Sequence, residues 1–138
     1  MQWEQKGIII SDDTTRVNLE VVHTLLQQSY WANTRPKATI AQTLEHSLCF
    51  AVLKDQQQIG FARVVTDYTT FAWICDVIID PRFRGQGVGK FLMRCVTEHP
   101  AIASTKQLLA TKDAHSLYEQ FNFIRKECMW RDPKTLSK

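Results

Sequence analysis

Three glycines stand at alternate positions in Arg84-Gly85-Gln86-Gly87-Val88-Gly89-Lys90. The apolar run before them, Phe71 to Ile79, reads as a strand. Behind them Val88, Phe91, Leu92, Cys95 and Val96 recur on one face of a helix. Glycine reaches positive φ without a Cβ penalty and lets a ligand approach the backbone closely. The N–H groups of a first helical turn lack intrahelical acceptors, and the helix dipole adds about half a positive charge there. Strand, glycine turn and helix start, in that order, make a cradle for phosphate. From Pro81 to Thr97 the basic side chains are Arg82, Arg84, Lys90 and Arg94, with no acid among them. That local excess suits a compact anion. A turn that merely starts a helix is the alternative.

Three phosphate loops use glycine in this way. A Walker A loop needs four residues between its glycines, followed by Lys and then Ser or Thr. Here Gly85 and Gly89 enclose three, and Phe91 follows Lys90. A dinucleotide fingerprint needs GxGxxG, with an acid about 20 residues on; the spacing here is GxGxG, and no second parallel βαβ unit follows. The third is the (Arg/Gln)-x-x-Gly-x-(Gly/Ala) loop that holds a CoA pyrophosphate, and Arg84 to Gly89 satisfies it in full. A second motif follows after a helix and a strand: Ala114-His115-Ser116-Leu117-Tyr118-Glu119-Gln120-Phe121-Asn122-Phe123. Together the two motifs resemble the GNAT superfamily of acyl-CoA-dependent N-acetyltransferases, whose second motif reads A-x-x-L-Y-x-x-x-G-F. The element order is similar along nearly the whole chain. Gly60 to Asp67 and Leu109 to His115 further resemble a small bacterial branch of that family. Two departures stand out: Asn122 in place of Gly, and Thr111 where many members have Asn. Asparagine tolerates left-handed backbone, so the first is mild.

The resemblance implies acetyl-CoA as cosubstrate and no metal. It implies that the backbone of Val77, Ile78 and Ile79 pairs with the pantetheine arm like an added strand. The amides of Arg84, Gly85, Gln86, Gly87, Val88, Gly89 and Lys90 then hold the pyrophosphate, with Ala114 and Tyr118 also at the cofactor. Tyr118 is the expected general acid, because a phenol of pKa near 10 can protonate a thiolate whose parent thiol titrates near about 8.5. A tyrosine that merely packs on its helix is compatible with that role.

Asp76 sits inside Trp73-Ile74-Cys75-Asp76-Val77-Ile78, where burying a carboxylate costs several kcal/mol unless it is paired. It is read either as base or cation anchor for the amine, or as a structural partner of Arg63. Some polyamine-acetylating relatives place Glu-Asp here; this chain has Cys75-Asp76. The resemblance implies an acceptor pocket lined by the first helix–helix connection, for which Tyr30, Trp31, Phe50 and Trp73 are the aromatic candidates; such walls suit an apolar or cationic amine, with core packing as the alternative. His99 reads as a solvated residue at a helix end, His115 as a surface or capping residue, and Asp113 as the cap of the Tyr118 helix.

The elements that must position these groups follow β-α-α-β-β-β-α-β-α-β. Strands are expected at 6–10, 48–53, 59–65, 71–79, 107–110 and 123–130, and helices near 19–26, 40–44, 88–96 and 114–120, the first capped from Ser11 to Thr14. The fold class is α/β: a mixed, mostly antiparallel central sheet of about six strands with helices on both faces, in one domain over 1–138. The formal charge of +3 on 138 residues is too mild for a nucleic-acid surface, and no apolar run is long enough for a membrane span. Cys49, Cys75, Cys95 and Cys128 show no metal-ligand spacing and read as buried free thiols of a cytoplasmic protein. The resulting expectation is an N-acetyltransferase acting by direct attack in a ternary complex on a primary amine or lysine, with a homodimer possible. A non-catalytic acyl-CoA-binding sensor or interaction module is the alternative.

Overall fold

Alternation along the strands sorts the apolar side chains into two cores on opposite faces of one sheet. The structure, a computed structural model, describes residues 1–136; residues 137 and 138 of the expected domain lie outside the described residues. Strands β1 (Gln2–Gln5), β2 (Ile8–Ser11), β3 (Leu48–Lys54), β4 (Gln57–Thr66), β5 (Phe71–Ile79) and β6 (Lys106–Leu108) lie in chain order across the sheet. The first five pair antiparallel, and β6 joins β5 parallel. Helices α1 (Leu19–Leu26) and α2 (Lys37–Glu45) cover one face, where Val22, Leu25, Leu26 and Ile40 meet Cys49, Phe61 and Ile78. Helix α3 (Val88–Thr97) covers the other, burying Val88, Phe91, Leu92, Cys95 and Val96 against Phe50, Val52, Ala62, Val64 and Ile74. Neighbours Cys49 and Phe50, or Phe61 and Ala62, enter opposite cores, as a two-residue period requires.

The expected sheet and the helices at 19–26 and 88–96 are present, and α2 is longer than its two apolar residues suggested. Three other expectations are corrected. A strand at 6–10 is instead a hairpin, β1 and β2 joined by Lys6-Gly7 at φ 50 and 80, a pair of left-handed residues that matches the strand twist. Gln2-Trp3-Glu4-Gln5 has one apolar side chain, too few to announce a strand. The cap of α1 is Asn18, whose side chain accepts from the Val21 N–H at 3.2 Å, while Asp13 caps only a short 3-10 turn. Residues 123–130 form no strand. Three consecutive charges, Arg125-Lys126-Glu127, break the alternation, and only Phe123 of this stretch packs on the core while Met129 is 95% exposed. Cys128 is accordingly exposed and Cys75 half-buried; Cys49 and Cys95 are the buried thiols, and all four are free.

His99 also departs from expectation. It is buried beside Trp3 and Phe50, accepts the Ala101 N–H at Nδ1, and lies 2.8 Å from Asp12 through Nε2. Because Nδ1 accepts, the proton sits on Nε2 and is donated to the carboxylate. His99 therefore ties α3 to the end of β2 rather than facing water.

Candidate active site

The loop after β5 is set by conformation rather than by side chains. Asp80 caps a 3-10 turn over Pro81–Phe83, accepting from the Arg82 N–H at 2.9 Å, and Arg84 Nε donates to the Ile79 carbonyl at 3.1 Å. Gly85 and Gly87 then take φ of 78 and 81, and Gly87 is the N-cap of α3. Non-glycine residues pay for such angles. Among the described residues, no protein group accepts from the N–H of Gly85, Gln86, Gly87, Val88, Gly89 or Lys90. The Arg84 amide, expected to join this run, donates instead to Pro81 O at 3.4 Å. A Cβ built on Gly85, Gly87 or Gly89 would meet no atom within 4 Å, so open space flanks the donors. Six adjacent unpaired N–H groups at a helix start, with room beside them, fit a pyrophosphate.

Beside this loop the sheet is split. Strand β6 stops at Leu108, opposite Trp73, so among the described residues β5 has no strand neighbour on that side from Ile74 to Ile79. On its other side the register slips: Phe61 faces Ile78 but Arg63 faces Cys75, leaving Ala62 opposite two residues. Asp76 sits in this bulge at φ 54. The bulge changes which core the strand enters. Ala72 and Ile74 point beneath α3, and past the bulge it is Val77 and Ile79 that do so. Asp76 is thereby turned to the α1–α2 face, away from an apolar core where its charge would have no partner. Gly60 permits the close approach of β4 and β5, since a Cβ there would stand 2.9 Å from Ile78 O.

On the α1–α2 face Asp76 is 4% exposed and accepts three hydrogen bonds. Trp31 Nε1 donates to Oδ1 at 2.9 Å; Arg35 Nη1 at 2.9 Å and Arg63 Nε at 2.8 Å donate to Oδ2. Arg63 also donates to Ser47 Oγ at 3.1 Å. The pairing with Arg63 read from the sequence is present, and two further donors join it from the connection between α1 and α2. Such a network holds Trp31 and Arg35 in place, because breaking a buried pair leaves an uncompensated charge.

Trp31 is packed edge-on against Tyr30 at 5.1 Å between centroids, and the Tyr30 hydroxyl accepts the Lys112 N–H at 3.2 Å. The ammonium of Lys112 lies 5.2 Å from the Tyr30 ring centroid. Tyr118, on α4 (His115–Glu119), lies close enough to Tyr30 to feel its phenol. Burial pushes the Tyr118 phenol above its ordinary value, and Tyr30 and Asp113 add to the shift. Among the described residues the Tyr118 hydroxyl donates to no protein acceptor, so it is open to a ligand. Burial pushes the thiol of Cys49 up to about 12 and that of Cys75 up to about 11, which keeps both protonated.

The comparisons with known proteins agree with this geometry. The family described as acetyltransferase (GNAT) domain matches residues 45–125. The chain belongs to the GNAT family of acetyltransferases. A crystal structure assigned to that family from Xanthomonas campestris pv. campestris superposes with a TM-score of 0.88 at 34% identity, covering 98% of this chain and 100% of that one. The protein named uncharacterized N-acetyltransferase ycf52 of Porphyra purpurea is 32% identical over 129 residues, covering 88% of this chain and 73% of its own length. A GNAT family acetyltransferase from Elizabethkingia anophelis, solved with acetyl-CoA bound, shares the fold at a TM-score of 0.65 and 18% identity, over 85% of this chain and 76% of that one.

Within this GNAT chain the residues expected at the site fall into two groups. Tyr30, Trp31, Asp76 and Tyr118 come together between the bulge and α4. Trp73 lies apart from the Asp76 network: its ring packs 5.7 Å from that of Trp130, and both line a cavity of about 1210 Å³ that Tyr118 also lines. Phe50 is fully buried beneath α3 and is core, not pocket wall. Asp113 does not cap α4; the helix starts from Ala114, whose N–H donates to Thr111 Oγ1 at 3.0 Å, and His115 opens its first turn. Asn122 adopts φ 69, the left-handed angle that its substitution for glycine demands. Arg35 and Lys112 went unread in the sequence. Their signals were their places, Arg35 just before Pro36 in the helix connection and Lys112 two residues before the start of the second motif.

Proposed function

We propose that this chain is an N-acetyltransferase moving an acetyl group from acetyl-CoA to a primary amine by direct attack while both substrates are bound. The observation that carries the reading is the run of six N–H groups, Gly85 to Lys90, without a protein acceptor among the described residues and beside open space. Bound acetyl-CoA supplies a thioester, an acyl group already activated for attack by nitrogen. Those amides, with the positive end of α3 and the charges of Arg84 and Lys90, hold its pyrophosphate. The free edge of β5 at Val77, Ile78 and Ile79 receives the pantetheine arm as an added strand. Ala114 starts the helix that brings Tyr118 to the sulfur.

Tyr118 supplies the proton. As the N–C bond forms and the C–S bond breaks, the phenol donates to the departing sulfur, whose parent thiol titrates near about 8.5. A phenol held above its ordinary value is fully protonated at neutral pH. The surplus proton of the amine leaves to water. Asp76, with both oxygens filled by Trp31, Arg35 and Arg63, is a positioning residue for the acceptor side. The raised thiols of Cys49 and Cys75 oppose an acyl-cysteine relay and support direct attack.

The test is thiol release from acetyl-CoA in the presence of amino acids, small amines and a lysine-containing peptide. Release that rises with amine concentration, together with an N-acetylated product, is expected. Tight binding of acetyl-CoA without amine-dependent release across the panel would return the chain to a binding module.

A further inference from the structure

Asp76 leaves charge unbalanced at the acceptor mouth. Two guanidiniums, those of Arg35 and Arg63, meet one carboxylate, so the buried cluster carries one net positive charge. The two arginines are not equivalent. Arg63 is 14% exposed and spends Nε on Asp76 and Nη1 on Ser47. Arg35 is 24% exposed and uses Nη1 alone; its Nε and Nη2 meet no acceptor among the described residues. Asp76 thus orients a guanidinium that still has donors to offer.

The aromatic pair beside it does not offer an empty cation site. The Tyr30 face already holds the Lys112 ammonium, and both Asp76 oxygens are filled. Among the described residues no further carboxylate pairs with Arg35 or Arg63, so the surplus charge remains with Arg35. A dicationic or polycationic acceptor would meet repulsion without a free carboxylate to receive it. A planar carboxylate fits the opposite way, because a guanidinium presents its N–H groups in a fork matched to two oxygens.

We propose that Arg35 is a specificity-determining residue that binds a carboxylate on the acceptor, so that the acceptor is an amino-acid-like amine. This rests on the acetyl-transfer reading above. Trp31 and Tyr30 supply the wall that separates the carboxylate at Arg35 from the amine that must reach the acetyl group near Tyr118. A charge-assisted hydrogen bond contributes about 1.5–3 kcal/mol, which corresponds to roughly tenfold or more in kcat/KM.

The experiment compares amines that differ only in the carboxylate: tyrosine with tyramine, phenylalanine with phenethylamine, lysine with cadaverine, plus an amidated lysine peptide that carries no carboxylate. Acetyl-CoA turnover is followed with the full chain, and acetyl-CoA affinity is measured in parallel. The carboxylate-bearing member of at least one pair is expected to turn over about tenfold or more faster. Arg35→Met removes that preference while the acetyl-CoA Kd stays unchanged, and Arg35→Lys restores part of it. Equal or reversed rates within the pairs, turnover confined to the amidated peptide, or a preference that survives Arg35→Met would overturn this inference alone. No turnover of any amine would overturn the acetyl-transfer reading, and the inference with it.

Discussion

At the glycine loop the donors are main-chain N–H groups on six consecutive residues, fixed by two left-handed glycines and a helix start. At the proposed acceptor mouth the donors are side chains of Trp31, Arg35 and Arg63, gathered from a helix connection and a strand around one carboxylate on another strand. The first region depends on backbone shape and empty space; almost any side chain that avoids both would serve at the exposed Gln86. The second depends on side-chain identity and on a buried charge, and no main-chain feature could replace it. On the proposed reading, the main-chain site recognises what every acyl-CoA ligand shares, and the side-chain site tells one acceptor from another.

Substitutions confined to one region should therefore leave the other intact. Gly87→Glu has the largest expected effect. It places a side chain and a negative charge where the pyrophosphate would lie, at φ 81, and should weaken acetyl-CoA binding by about 1000-fold or more. Retained affinity in a folded variant would mean that the loop is not the anion site. Tyr118→Phe lies between the regions and should lower kcat by about 10²–10⁴ with acetyl-CoA affinity nearly unchanged. The acid works while protonated, and its phenol is raised. The loss of kcat with pH should thus come only above the ordinary value of 10.0 and should vanish in the Phe variant. A kcat that matches wild type would reduce Tyr118 to packing.

Asp76→Ala comes next. It leaves two guanidiniums without their carboxylate and should cost about 3–5 kcal/mol in urea unfolding. In the fraction that folds, acetyl-CoA should still bind, since no loop amide depends on Asp76. A joint loss of stability and of acetyl-CoA affinity would show that the two regions are not separable. Gly60→Ala has the smallest effect, about 1–3 kcal/mol, because its Cβ would press on Ile78 O and on Ile79 at the edge of the bulge. A neutral result by thermal melting would show that the strands can part there freely.

The same contrast explains what the sequence disclosed. The loop is contiguous, so its spacing distinguished one phosphate cradle from two others, and the amphipathic stripe of α3 and the apolar run of β5 framed it. The Asp76 cluster spans residues 31 to 76, and only the cost of burying a lone carboxylate pointed to a partner. Arg63 was legible because it lies one strand away; Arg35 was not, because the bulge at Asp76 decides which face the carboxylate takes. No local pattern marks a bulge of this kind. The N-terminal hairpin hid behind polar residues, and the stretch 123–130 looked like a strand because Phe123, Cys128, Met129 and Trp130 are apolar, although the three charges between them break the period.

Calorimetric titration of the full chain with acetyl-CoA, with NAD and ATP as controls, tests the central claim most directly. Micromolar binding of acetyl-CoA at one site per chain, with neither control binding comparably, is the result this account predicts. Absence of binding, or equal binding of NAD or ATP, would contradict it, because the Gly85 to Lys90 amides would then not form a site for acetyl-CoA.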